Sequence, residues 1–291
     1  MRIDMAAAAR ALGFGKRTST TAALMVALAF GVAAAPAALR HPGAVGSPGM
    51  PGSPGAAGAA GDEDPARAAL AEASAAKRAA QKLEDSAREQ ALLEVAGRYD
   101  AIADNGDFDP ASRAEAAFRA GEILRARGRL DDSAPRFAKA VELGADAPKG
   151  REFAARGLLE QAHLERRAKD DASALQLYGQ VRERFADQRR TAATAMTWSG
   201  KLLLAAGRTD EAAQMLQGFA TEYPEYPKDA VRNADLLAVE LLEAGDEAGA
   251  KAAVDKLRAA MAPIVDGGGK QAESVSAALK AMRVTELLGG Y

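Results

Sequence analysis

Cysteine is absent from the chain. That excludes disulfides, thiolate nucleophiles, thiolate metal sites and a lipid-modified N-terminal cysteine, and it leaves the redox compartment open. Histidine is almost as scarce: His41 and His163 are the only two, in unrelated segments, so no multi-histidine metal site is expected. Aromatic residues make up 5% of the 291 positions, too few to fill a thick globular core with large rings. A phosphate loop is lacking as well. Gly267 to Gly269 precede Lys270, but Gln271 follows and no strand leads in. Ser199, in Trp-Ser-Gly, has neither the flanking pattern nor the strand-to-helix turn of a hydrolase nucleophile. Carboxylates are numerous but fall mostly on solvent-facing helical positions. No catalytic residue, no metal ligand and no cofactor site is expected, and the chain reads as a non-enzyme.

What is present is alanine, glycine and mixed charge. The formal charge is −2, and the first 37 residues carry Arg2, Arg10, Lys16 and Arg17 against Asp4. Taking these from the 38 basic and 40 acidic residues of the whole leaves 34 and 39, a body of −5. Such a body is a poor phosphate neutraliser, so nucleic acid is not an expected partner.

Residues 1–39 read as a signal peptide or membrane anchor: a basic lead, then the apolar run from Ala22 to Leu39, with Ala35 and Ala37 spaced for cleavage. Cleaved or retained, it would carry the body across the inner membrane, to a periplasmic or extracytoplasmic place. Residues 40–61 put glycine at every third position from Gly43 to Gly61, with Pro48, Pro51 and Pro54 just before the next glycine. This is a collagen-like pattern, read as an extended spacer or as a trimerising stalk. Residues 62–110 are an Ala-rich helical segment, begun by Asp62, Glu63, Asp64 and Pro65 and broken at Asn105 to Pro110. Its large apolar residues are too sparse for a strong heptad seam, and Val95, Tyr99 and Ile102 fit the second helix of a degenerate first repeat.

From 111 to 262 four units recur, first positions Ala114, Ala155, Ala193 and Val231, spaced 41, 38 and 38 residues apart. Each has a small residue in its first helix (Gly121, Ala162, Gly200, Ala238), then a turn position (Gly128, Lys169, Gly207, Gly245). In the second helix come a small residue (Ser133, Ala174, Ala212, Ala250) and, four further on, a larger one (Phe137, Tyr178, Leu216, Val254). Glu165 departs from the pattern, standing where the other units have leucine. Residues 263–291 are expected to form a capping helix, Lys270 to Leu288, covering the last apolar face or docking on a partner.

These offsets resemble the tetratricopeptide repeat. The long units and the phrases ERFAD and TEYPEYP are similar to the repeats of bacterial envelope proteins, such as the periplasmic coordinator of the Tol-Pal system and the lipoprotein of the barrel-assembly machinery. The resemblance implies an all-α, right-handed α-solenoid of stacked helical hairpins, used as a scaffold for protein–protein interaction in the cell envelope. The alternative is a trimeric structural protein built on the collagen-like and Ala-rich segments. In such stacks the first helices line a concave side, where exposed positions include Arg156, His163, Arg166, Thr197, Lys201, Arg232 and Asp235. Arg156, His163, Arg166 and Lys201 form a basic strip suited to an acidic or extended partner segment. Trp198 is expected to pack near Tyr178 or to stand out as an aromatic anchor.

Overall fold

The computed structural model describes residues 64–289. The expected leader, the Gly-X-Y spacer and its trimerising role lie outside the described residues. Within them the chain is an all-α solenoid of stacked helical hairpins. The helices are α1 (Pro65–Ala80), α2 (Asp85–Asp104), α3 (Pro110–Ala126), α4 (Leu130–Gly144), α5 (Arg151–Arg167), α6 (Asp171–Arg184), α7 (Arg189–Ala205), α8 (Thr209–Glu222), α9 (Pro227–Glu243), α10 (Glu247–Asp266), α11 (Gly269–Lys280) and α12 (Arg283–Leu287). From α1 to α11 each helix packs on the next, and the odd-numbered helices also pack on one another in a row. The short α12 rests on α9.

Turn chemistry sets the hairpins. Gly128, Gly207 and Gly245 take φ of +74°, +71° and +84°, the left-handed conformation that ends a helix without a Cβ penalty. Lys169 occupies the same place in the remaining unit at φ +63°, a strain worth about 1 kcal/mol for a non-glycine residue. All four turns close with one bond five residues back: Arg129 N to Leu124 O, Asp170 N to Glu165 O, Arg208 N to Leu203 O and Asp246 N to Leu241 O, at 2.8 to 3.0 Å. Asp170 then caps α6, accepting from Ser173 N at 3.0 Å, as Asp246 caps α10 through Gly249 N at 2.8 Å.

Close approach explains the small residues. A Cβ on Gly121 would stand 2.7 Å from Phe137 Cε1, and one on Gly200 would stand 2.6 Å from Leu216 Cγ. Ala162 and Ala238, the counterparts, are fully buried, as are Phe137 and Tyr178. Ser133 at the small position of α4 is buried too, and its hydroxyl is satisfied by donating to Leu130 O at 2.8 Å. Glu165 is half-buried where Leu124, Leu203 and Leu241 are buried, so the second unit loses an apolar contact there.

Neighbouring units are also joined by ion pairs at roughly the repeat spacing. Arg151 at the start of α5 holds Asp187 at 2.6 Å and Arg184 O at 2.9 Å, with its guanidinium 5.2 Å from the Phe185 ring. Arg189 at the start of α7 repeats this with Glu225 at 2.7 Å, Glu222 O at 2.5 Å and the Tyr223 ring at 4.7 Å. Bonding to Arg151 holds the Asp187 carboxyl far below the usual carboxylate range. Exposed pairs contribute little singly.

Three boundaries differ from the sequence reading. The Ala-rich segment, read without a break between Ala66 and Ala103, turns at Gln81 to Glu84 into the hairpin of α1 and α2, the form a degenerate first repeat has, with Asp85 at φ +42°. The helix α10 continues through Pro263 to Asp266, without the one backbone donor that proline lacks. The segment after the glycines is two helices, broken at Met282, whose buried side chain is drawn into the core.

Candidate functional site

The predicted strip lies on the odd-numbered helices, and its members have unlike surroundings. Arg156 on α5 is not a free cation: it pairs with Glu122 of α3 at 3.3 Å and Glu152 at 3.4 Å, with its guanidinium 4.3 Å from the buried Phe118 ring. Beside it Glu160 pairs with Arg125 at 3.1 Å, and burial raises its carboxyl pKa against the pull of that arginine. The α3–α5 end of the strip is therefore internally neutralised.

The next interval is built around aromatic rings. His163 on α5 faces two of them edge-on, Tyr178 of α6 at 5.5 Å and Trp198 of α7 at 5.4 Å between centroids. Its Nδ1 lies 2.6 Å from the Tyr178 hydroxyl. Burial pushes the Tyr178 pKa up to about 12, so the phenol keeps its proton, and burial with nearby Arg166, Arg125 and Arg167 lowers that of His163 to about 4. At neutral pH the bond accordingly joins a protonated phenol to an uncharged imidazole, its direction set by the imidazole tautomer. Trp198 is half-buried against the cluster that contains Tyr178, with the Arg166 guanidinium 4.2 Å and the Lys201 ammonium 4.6 Å from its ring centre. His163 thus meets both rings, and the indole carries two cations on a surface that solvent still reaches.

Further along, the predicted residues separate. Thr197 accepts from Asn233 Nδ2 at 3.0 Å, a bond that satisfies a buried asparagine and ties α7 to α9. Arg232 is exposed and pairs with Asp229 at 3.1 Å. Asp235 faces the C-terminal cap, where it accepts from Val284 N at 3.0 Å at the start of α12. The sequence reading missed Arg190, which lies three places before its unit's first position and outside the series taken as exposed. It pairs with Asp229 at 2.5 Å and lies 4.9 Å from the Tyr226 ring centre. Among the described residues no cluster of three or more His, Asp or Glu has metal-binding geometry.

Residues 194–226, from α7 to the turn before α9, match the family model of the tetratricopeptide repeat. No curated protein matches the chain. Among solved structures, BtubC (BKLC) from P. vanneervenii is similar at 19% identity and a TM-score of 0.47, over 70% of this chain and 93% of that one. A protein of Podosopora anserina described as a kinesin light chain with nearly identical TPR-like repeats is similar at 16% identity and a TM-score of 0.49, over 69% of this chain and 98% of that one.

Proposed function

We propose that this solenoid of tetratricopeptide-like repeats is a non-catalytic scaffold, exported to the cell envelope, that binds a segment of another protein on the face of its odd-numbered helices. The observation that carries the reading is the Trp198 platform: an accessible indole flanked by Arg166 and Lys201, with the neutral His163 at its edge, at the junction of α5 and α7. Indole and guanidinium groups are the side chains most enriched where binding energy concentrates. Repeat solenoids supply long surfaces for extended segments. The basic lead and apolar run of residues 1–39 support export, and a body of −5 favours protein over nucleic acid as partner.

A photo-crosslinking side chain placed at Lys201, against a control at the exposed Glu183 on α6, tests the reading in the source cells. Expected is a discrete adduct from position 201 only, in the extracytoplasmic fraction. Equal adducts from both positions, or adducts confined to the cytoplasm, would contradict it.

A further inference from the structure

Two shallow cavities open near the starts of the odd-numbered helices. One, of about 480 Å³, lies between α5 and α7 and includes Leu159 and Thr194. The other, of about 510 Å³, runs from the start of α7 past α9 to α11. Arg190 and Tyr226 line both, so the two are parts of one groove.

The second part is unbalanced in charge. Arg190, Lys228, Arg232 and Lys270 face it, against Glu225 and Asp229. Both carboxylates are already engaged: Glu225 with Arg189 at 2.7 Å, and Asp229 with Arg190 at 2.5 Å and Arg232 at 3.1 Å. Lys228 and Lys270 are exposed, and neither has an ion-pair partner among the described residues. Below this cationic rim the half-buried Tyr226 and the buried Pro227 and Val275 give an apolar floor. A local excess of two positive charges within an acidic body marks a surface complementary to negative charge.

We propose that this groove holds an extended acidic segment of a partner protein. Its carboxylates sit on Lys228, Arg232 and Lys270, and an apolar side chain between them rests on Tyr226 and Pro227. The inference builds on the odd-helix face as the binding face and places the recognition of charge at α7 to α11, beyond the Trp198 platform. A short peptide fits better than a membrane or a nucleic-acid backbone, because Glu225 and Asp229 stand among the cations and would oppose a uniform sheet of negative charge.

Selection of a random peptide library on the full chain, repeated with the combined variant Lys228→Glu, Arg232→Glu and Lys270→Glu, tests this. All three side chains are exposed, and an unchanged far-UV spectrum and melting temperature would verify that the variant folds. The expected result is enrichment of peptides with two or more acidic residues around an apolar one, bound about tenfold or more weakly by the variant and weakened by salt. Failure to enrich acidic peptides, or equal binding by the variant, would overturn the proposal. Peptides lost on Lys201→Glu but kept by the triple variant would overturn it while leaving the odd-helix face as the binding surface. Phosphatidylglycerol vesicles that bind the wild type and not the variant, with no acidic peptide selected, would overturn it in favour of a membrane.

Discussion

Replacing Gly121 with valine is expected to destabilise the solenoid by about 3 kcal/mol, a fall of roughly 10 °C in melting temperature. The cause is local. A Cβ at this position already meets the Phe137 ring at 2.7 and 2.8 Å, and Phe137 is fully enclosed, so the ring has nowhere to turn. Two further methyl groups force α3 and α4 apart, and the loss spreads from Phe137 to the Phe118 ring tilted against it at 5.8 Å, and from Phe118 to Phe153 at 6.1 Å. Helix propensity works in the opposite direction, since glycine in a helix costs up to about 1 kcal/mol relative to alanine. Gly179 on α6, with nothing within 4 Å of its Cβ site, isolates that term: Gly179→Ala should stabilise slightly. Urea unfolding of both variants makes the comparison. Destabilisation by Gly121→Val no larger than the effect at Gly179 would mean that the helices are not held by close approach.

Acid sensitivity centred on His163 is the second large effect. Its pKa is about 4 in the folded chain against 6.5 unfolded, because of burial first and then the charges of Arg166, Arg125 and Arg167. The unfolded chain therefore binds the proton more readily between those values. Stability from the neutral imidazole is complete above pH 6.5 and is lost as pH falls toward 4. Allowing for its partial exposure, the loss between pH 7 and pH 5 is about 1 kcal/mol. Glu160 acts with the opposite sign, since a carboxyl whose folded pKa is raised gains stability as pH falls. The test is thus a comparison of pH profiles, wild type against His163→Gln. The variant should start less stable at pH 7, having lost the ring between Tyr178 and Trp198, and show a flatter profile down to pH 5. Fluorescence of Trp198, the only tryptophan, reports the same titration because the imidazole lies 5.4 Å from its ring. Parallel profiles for the two proteins would remove His163 as the source.

The fold was largely legible because its determinants are local. A glycine that must take positive φ, a small residue facing a large one and a proline just inside a helix start each act over a few residues; the first two recur with the repeat, and the proline begins α1, α3 and α9. The misses share a different cause. The turn at Gln81 to Glu84 has no glycine or proline, and Asp85 takes positive φ without the usual residue. There the packing of the flanking helices outweighs local preference.

The binding face was legible only in outline. Helical spacing put Arg156, Lys201 and Arg232 on the odd-helix face, but it carried no information on which cations were already paired. Arg156 is taken up by Glu122 and Glu152, and Asp235 by the backbone of α12. Glu152 is four residues before Arg156 on the same helix, but Glu122 and Val284 lie on other helices, at distances along the chain that only the folded stack defines. Arg190 and Tyr226 escaped because they fall outside the series of first-helix positions expected to be exposed.

The nesting of small against large residues is tested most directly by a double-mutant cycle on Gly200 and Leu216. In the following unit the equivalent pair is Ala238 and Val254, both buried. Gly200→Ala alone should cost about 2 kcal/mol and Leu216→Val alone about 1 kcal/mol, through a clash in the first case and a lost methylene in the second. Together they recreate the Ala–Val pair of the next unit, and the combined loss should be about 1 kcal/mol, well short of the sum. Strictly additive losses would contradict the account, because they would mean that the two side chains do not share one space.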